Sequence, residues 1–191
     1  MKSGWILLAL AACHDNQGAD PSDAAGSSDG PAATGLVGTW NRLDDPPPDT
    51  GTLQFLTFNA DGTIHTNQRD GIWSEPTPGR MHVADSDGTN SIEIDYVIAG
   101  STMAWNAWLP MGSPNGFVGT WTQYTGVQSH VTNQVMTVNA DHTLGITVNG
   151  GSSSPGTWAI EGSGFSFTWV LGTEHMRPVG AALSQLDYAR E

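Results

Sequence analysis

The chain has 191 residues, with six Lys plus Arg against 19 Asp plus Glu and a formal charge of −13. That balance argues against nucleic acid and anionic lipid headgroups as charge-driven partners, because both need clustered cations. A single cysteine excludes an internal disulfide, and no apolar stretch reaches the ~20 residues of a spanning helix.

The chain opens Met1-Lys2-Ser3-Gly4, followed by eight apolar residues from Trp5 to Ala12 and then Cys13. This order of charge, short apolar run and small residues is that of a cleaved export signal. Leu10-Ala11-Ala12-Cys13 also resembles the lipobox of bacterial lipoproteins. The resemblance implies that residues 1–12 are removed, that Cys13 is lipidated, and that the chain sits on a membrane of the bacterial cell envelope, the outer favoured over the inner. The alternatives are an ordinary secretory signal with a chance cysteine, or a misplaced start.

Residues 13–34 read as the lipidated cysteine and a tether. Of the 21 residues from His14 to Thr34, 17 are Gly, Ala, Ser, Asp or Pro. Such a segment has nothing to bury and cannot offset its ordering entropy. As a coil it would reach roughly 25 Å. Gly26-Ser27-Ser28-Asp29-Gly30 fits the G-x-S-x-G pattern of serine hydrolases, but that pattern carries meaning only on a sharp strand-to-helix turn. Without Lys2 the mature chain keeps five Arg against 19 acidic residues.

Residues 35–191 contain a self-similarity. Gly35-Leu36-Val37-Gly38-Thr39-Trp40 returns as Gly116-Phe117-Val118-Gly119-Thr120-Trp121, 81 positions later. Leu56-Thr57-Phe58-Asn59-Ala60-Asp61-Gly62-Thr63-Ile64 returns as Met136-Thr137-Val138-Asn139-Ala140-Asp141-His142-Thr143-Leu144, offset by 80. Gly71-Ile72-Trp73 matches Gly156-Thr157-Trp158, offset by 85. Three blocks in one order at a nearly constant offset indicate an internal repeat. Pro110 to Asn115 is expected to be a breaker-rich connection, with one repeat over 35–112 and the other over 113–191.

Each repeat reads as antiparallel β. Ile92, Ile94, Tyr96 and Ile98 alternate onto one face, as do Met103, Trp105, Ala107 and Leu109. Leu144, Ile146 and Val148 follow the same pattern, and so do Phe165, Phe167, Trp169 and Leu171. Period-two alternation in such residues marks half-buried strands. Trp105 and Trp108 have opposite parity, so one of them is expected at the surface or in an interface. Asn59-Ala60-Asp61-Gly62 is a tight turn whose last position needs positive φ, and in the second copy His142 holds that position. Asp61 and Asp141 are therefore read as turn-formers that bond their own backbone.

The order G-T-W, N-A-D-G-T, G-x-W resembles the bacterial lipocalin-like domains of the calycin group in both copies. The resemblance implies two tandem up-and-down β repeats forming small lipocalin-like barrels, all-β and packed together; the alternative is one pseudo-twofold barrel or sandwich. Trp40, Trp73, Trp121 and Trp158 are expected as core residues closing barrel ends. About eighty residues of β without disulfide or metal is marginal alone, so the halves should pack on each other.

No chemistry stands out. His65, His82, His130, His142 and His175 make no metal-ligand spacing, and no metal or cofactor is expected. Asp85-Ser86-Asp87-Gly88-Thr89-Asn90 reads as a hairpin turn rather than a calcium loop. No P-loop or dinucleotide fingerprint is present, and no cysteine remains for nucleophilic work. The expectation is a membrane-anchored, non-catalytic lipoprotein with no nucleic-acid partner. Its partner would be another envelope protein or, in the alternative, a small apolar or amphipathic ligand in a barrel cavity. Phe55, Phe58, Ile94, Tyr96, Phe167 and Trp169 are the residues that would fill such a centre.

Overall fold

The computed structural model describes residues 35–43, 53–128 and 130–191. The signal, Cys13, the tether and the Gly26–Gly30 motif lie outside them. Among the described residues there is no helix, and sixteen strands follow one another. The first half carries β1 (Gly38–Arg42), β2 (Phe55–Phe58), β3 (Thr63–Thr66), β4 (Asp70–Thr77), β5 (Arg80–Asp85), β6 (Ser91–Ala99), β7 (Thr102–Trp105) and β8 (Leu109–Asn115). The second carries β9 (Val118–Val127), β10 (His130–Val138), β11 (Thr143–Val148), β12 (Ser154–Glu161), β13 (Gly164–Trp169), β14 (Gly172–Val179), β15 (Ala182–Ser184) and β16 (Leu186–Arg190).

Strands β1 to β7 pair in order as an antiparallel meander, and β16 fits between β7 and β1 to close an eight-strand barrel. Strands β9 to β15 form a second meander, and β8 lies along the free side of β9. This second ring meets at an isolated bridge, where Trp108 and Leu183 exchange backbone hydrogen bonds of 2.9 and 3.0 Å. The two rings share a seam along Ile92–Ile94 of β6 and Thr125–Val127 of β9. Hairpin turns fall at two ends, among them 59–62, 78–79, 139–142 and 162–163 at the lower, and 86–90, 149–153 and 170–171 at the upper.

Pro110 to Asn115, expected from its prolines and glycine to be a connection, lies in strand β8. Pro110 and Pro114 fit there because β8 lies at an edge of the paired strands, and a bulge interrupts its register between Met111 and Asn115. The strand that ends each half thus completes the other half's ring, so a cut between 112 and 113 separates repeats in sequence but not barrels in space.

Each ring has its own apolar core. The first gathers Trp40, Leu56, Phe58, Ile94, Trp105 and Tyr188; the second gathers Trp108, Trp121, Met136, Trp158, Phe165 and Phe167. Burial of side chains this large contributes roughly 1.5–3 kcal/mol each. Neither Trp105 nor Trp108 reaches solvent. Asn106, at φ 55°, breaks the alternation between them and sends one indole into each barrel. The same break moves Ala107 and Leu109 off the Met103–Trp105 face and into the seam. Phe55 is only half-buried, because Leu56 and Phe58 take the inward positions of β2. Leu171 is not on the Phe165–Phe167 face but in the β13–β14 turn, 53% exposed. Val148 is at the end of β11, 42% exposed.

Between the barrels lies a third, small-residue cluster of Ala104, Ala107, Val179 and Ala182, with Val97 and Ala99 against it. Strand β6 is consequently covered on both faces along its second half. Polar clamps flank this seam. Arg80 donates to Asp95 at 2.9 Å while its guanidinium lies 3.6 Å from the Tyr124 ring centroid on the other barrel. Burial, followed by the charge and hydrogen bond of Glu93, pushes the Tyr124 hydroxyl pKa up. Arg177 of the second barrel donates to the buried carboxylate of Asp187 in the first at 3.3 Å.

Candidate functional site

The lower ends of the two barrels are built alike. The Trp40 indole donates to the Leu36 carbonyl at 2.8 Å, and that of Trp121 to the Phe117 carbonyl at 3.0 Å. The Trp73 indole donates to the Asn59 carbonyl at 3.0 Å, and that of Trp158 to the Asn139 carbonyl at 2.8 Å. Trp40, Trp121 and Trp158 are buried, while Trp73 is half-buried and packs against the first core. Each lower end is thereby closed by two indoles whose polar tips the chain itself satisfies.

The adjoining turns repeat as closely. Asp61 Oδ1 accepts from the amide and hydroxyl of Thr63, and Asp141 Oδ1 does the same with Thr143. In both, the hydroxyl bond and then the amide bond hold the carboxyl below its ordinary pKa. Gly62 has φ 83° and His142 φ 67°, and their carbonyls accept from the amides of Trp73 and Trp158. His142 Nδ1 lies 3.2 Å from the Trp158 carbonyl, and its ring packs on that indole at 4.9 Å. These carboxylates and this histidine are engaged within the turns; they face no common space.

Nor do the other ionisable groups assemble a reactive set. His65 pairs with Asp70 at 2.7 Å and His175 with Glu161 at 2.8 Å, both exposed on outer faces. The 85–90 segment is a hairpin turn: Asp87 accepts from Thr89 and Asp85 from Asn90. Among the described residues no group of three or more His, Cys, Asp or Glu could hold a metal ion.

The upper ends differ. In the first barrel Leu53, Val83, Ile92 and Leu186 pack onto the core, and the Tyr188 hydroxyl donates to the Leu53 carbonyl at 3.4 Å. The cross-strand row Trp73–Val83–Ile92 corresponds in the second barrel to Trp158–Phe167–Glu174. A carboxyl therefore occupies the inward slot that isoleucine fills in the first barrel. Burial pushes the Glu174 pKa up, partly opposed by the hydrogen bond from the Trp169 indole at 3.2 Å. Trp169 is half-buried and packs against the second core.

Tyr188 also has a counterpart. Trp108 stands 80 positions before it and is, like it, buried in its barrel's core. Its indole Nε1 is buried without a hydrogen-bond partner. Next to it on the inner wall Gln123, 4% exposed, donates to the Asn106 carbonyl at 2.7 Å and accepts from Gln134 at 3.2 Å. Thr125 donates to Asn106 Oδ1 at 3.1 Å, so this polar row also fixes the fork where β9 leaves β8 for β6.

The candidate site is therefore the upper half of the second barrel, with Trp108, Gln123, Gln134, Trp169 and Glu174 above an aromatic plug. It gathers hydrogen-bonding and aromatic groups side by side at one end of the barrel. Of these residues the sequence pattern assigns only Trp169 to a barrel centre. Trp108 could have been found from the 80-residue offset to Tyr188; Glu174 had no sequence signal, because its row is defined only by strand register. No family model, curated protein or solved structure matches this chain.

Proposed function

We propose that this chain is a non-catalytic protein of the bacterial cell envelope, held on a membrane by lipid on Cys13, whose lipocalin-like double barrel binds a small amphipathic molecule. The observation that carries the binding reading is the unequal pair of upper ends: one is filled with apolar side chains, the other turns Glu174, Gln123 and Gln134 inward. Polar side chains facing inward at that end stand where the first barrel has apolar packing, and a few placed polar groups in an apolar surround suit a ligand role there. Internal duplication followed by divergence of one copy accounts for the unequal ends. The anchor reading rests on Leu10-Ala11-Ala12-Cys13 and the low-complexity stretch after it.

Two measurements test these parts separately. Native protein should have a mass lacking residues 1–12 and carrying acyl chains on Cys13, and Cys13→Ala should stay unprocessed or leave the detergent phase. An unmodified Cys13 with the first twelve residues attached would remove the anchor. For binding, neutral naphthalene probes should raise the thermal midpoint of the full chain, and Gln123→Leu should change that shift. A second reading, an envelope protein that contacts another macromolecule, draws on Val170 and Leu171, 76% and 53% exposed at the upper rim.

A further inference from the structure

Strands β6 and β14 are counterparts, and their outer edges are used differently. Beyond the stretch that pairs with β7, β6 goes on bonding. The Ala107 amide donates to the Asp95 carbonyl, Glu93 is in register with Gly126 of β9, and the Gln128 amide donates to the Ser91 carbonyl. An extended strand of the other barrel thus covers that edge. In β14 the same side pairs with β15 over 177–179. Alternate residues of a strand bond to opposite neighbours, so Thr173 and His175 turn their amides and carbonyls away from β13. Among the described residues no strand pairs with that side of them. Both are exposed, and a Cβ on the adjoining Gly172 would meet nothing within 4 Å.

Charge limits what can cover this edge. Glu174 faces inward between Thr173 and His175, and an inward carboxylate on an edge disfavours an apolar or acidic strand. Its carboxyl is bonded by the Trp169 indole and by no cation among the described residues. By the 81-residue offset, the counterparts of Thr125, Gly126 and Val127 are Asp44, Asp45 and Pro46. Two carboxylates and a residue without an amide hydrogen suit that edge poorly. Val170 and Leu171, exposed in the adjoining turn, add apolar surface at its end. We infer that the outer edge of β14 takes up an extended segment of another protein as an added antiparallel strand, with a lysine or arginine of that segment opposite Glu174. Main-chain bonds to Thr173 and His175 set the register, and the cation sets the selection. This goes beyond the small-molecule reading and stands without it.

The test titrates three peptides into the full chain. They are acetyl-Thr-Val-Thr-Lys-Thr-Val-Thr-amide, the same peptide with glutamate for lysine, and one with proline for both threonines beside the lysine. The lysine peptide should bind saturably and at least about tenfold more tightly than the glutamate peptide. The proline peptide should not bind, because its main chain cannot donate to the edge. Glu174→Gln should bring the lysine and glutamate affinities together. In the parent protein, amide hydrogen exchange at Thr173 and His175 should slow with the lysine peptide, a readout that needs no variant to fold. Absence of saturable binding, or binding that leaves those two amides unprotected, would overturn the proposal. Equal binding of the lysine and glutamate peptides would overturn the selection by charge. A Glu174→Gln protein that self-associates, while the parent ignores the lysine peptide, would also overturn it and leave Glu174 as a guard against edge pairing.

Discussion

At the scale of single residues, the two turns show how one geometry can be reached with different side chains. Gly62 sits at φ 83° at no steric cost, whereas His142 at φ 67° gives up about 1 kcal/mol of backbone preference. The ring of His142 packs on Trp158 at 4.9 Å, a contact worth about 0.5–1.5 kcal/mol. These offset each other, so His142→Gly should leave the unfolding free energy from denaturant titration within about 1 kcal/mol of the parent, while Gly62→Val should lower it by more. Glu174 gives the pH-dependent counterpart. Its folded pKa is raised, so the folded state favours the protonated form. Stability from this group is fullest below the unfolded pKa of about 4.3 and declines as pH rises through the folded value. Glu174→Gln should therefore raise the thermal midpoint at pH 7, and the gain should vanish below about pH 4. A gain that persists in acid would place its cause outside this ionisation.

At the scale of elements, strand faces were largely legible and strand partners were not. Alternation assigned Ile92, Ile94 and Tyr96 to one face, and their burial follows it, because period two is a property of the local backbone. It misplaced Ala107 and Leu109, because a single residue with positive φ, Asn106, resets parity without any Gly or Pro to mark it. It also missed β8, where two prolines and a glycine argue for a loop but an edge position forgives absent N–H groups. Glycine inside a strand can mark a close approach of the neighbouring backbone. A Cβ on Gly156 would sit 2.6 Å from the Thr168 carbonyl of the paired strand, and one on Gly150 would meet nothing within 4 Å. Gly156→Ala should cost about 1–3 kcal/mol by overpacking, and Gly150→Ala, at φ 70°, about 1 kcal/mol or less. Equal losses would show that β12 and β13 shift apart freely.

At the scale of the molecule, the fold class was legible because all the strong patterns were β, and the joining of the halves followed from their small size. The exchange of final strands was not, since register between residues as far apart as Trp40 and Arg190 leaves no local pattern. Arg190 nevertheless completes the first lower end, donating to the Val37 carbonyl with its guanidinium 5.5 Å from the Trp40 ring centroid. Because β16 supplies Tyr188 to the first core and Asp187 to a clamp on the second barrel, the two rings should unfold together. Indole signals of Trp40 and Trp121 followed in denaturant should share one midpoint. Removal of residues 185–191 should abolish that transition for the first barrel. Two separate midpoints in the intact chain would mean that the clamps and the small-residue seam couple the barrels weakly.

The exchanged strands also set a calendar for the molecule. The chain emerges with β1 ahead of β16, yet β1 finds its second neighbour only when β16 has followed. The second barrel needs nothing beyond β15, so it can close while the first still has an open slot between β1 and β7. Pairing across such a span is slow, because the loop must be closed before any contact repays it. The barrel begun first is the one finished last. Until then its two open edges are exposed to whatever extended chain passes by, including the same strand from another copy.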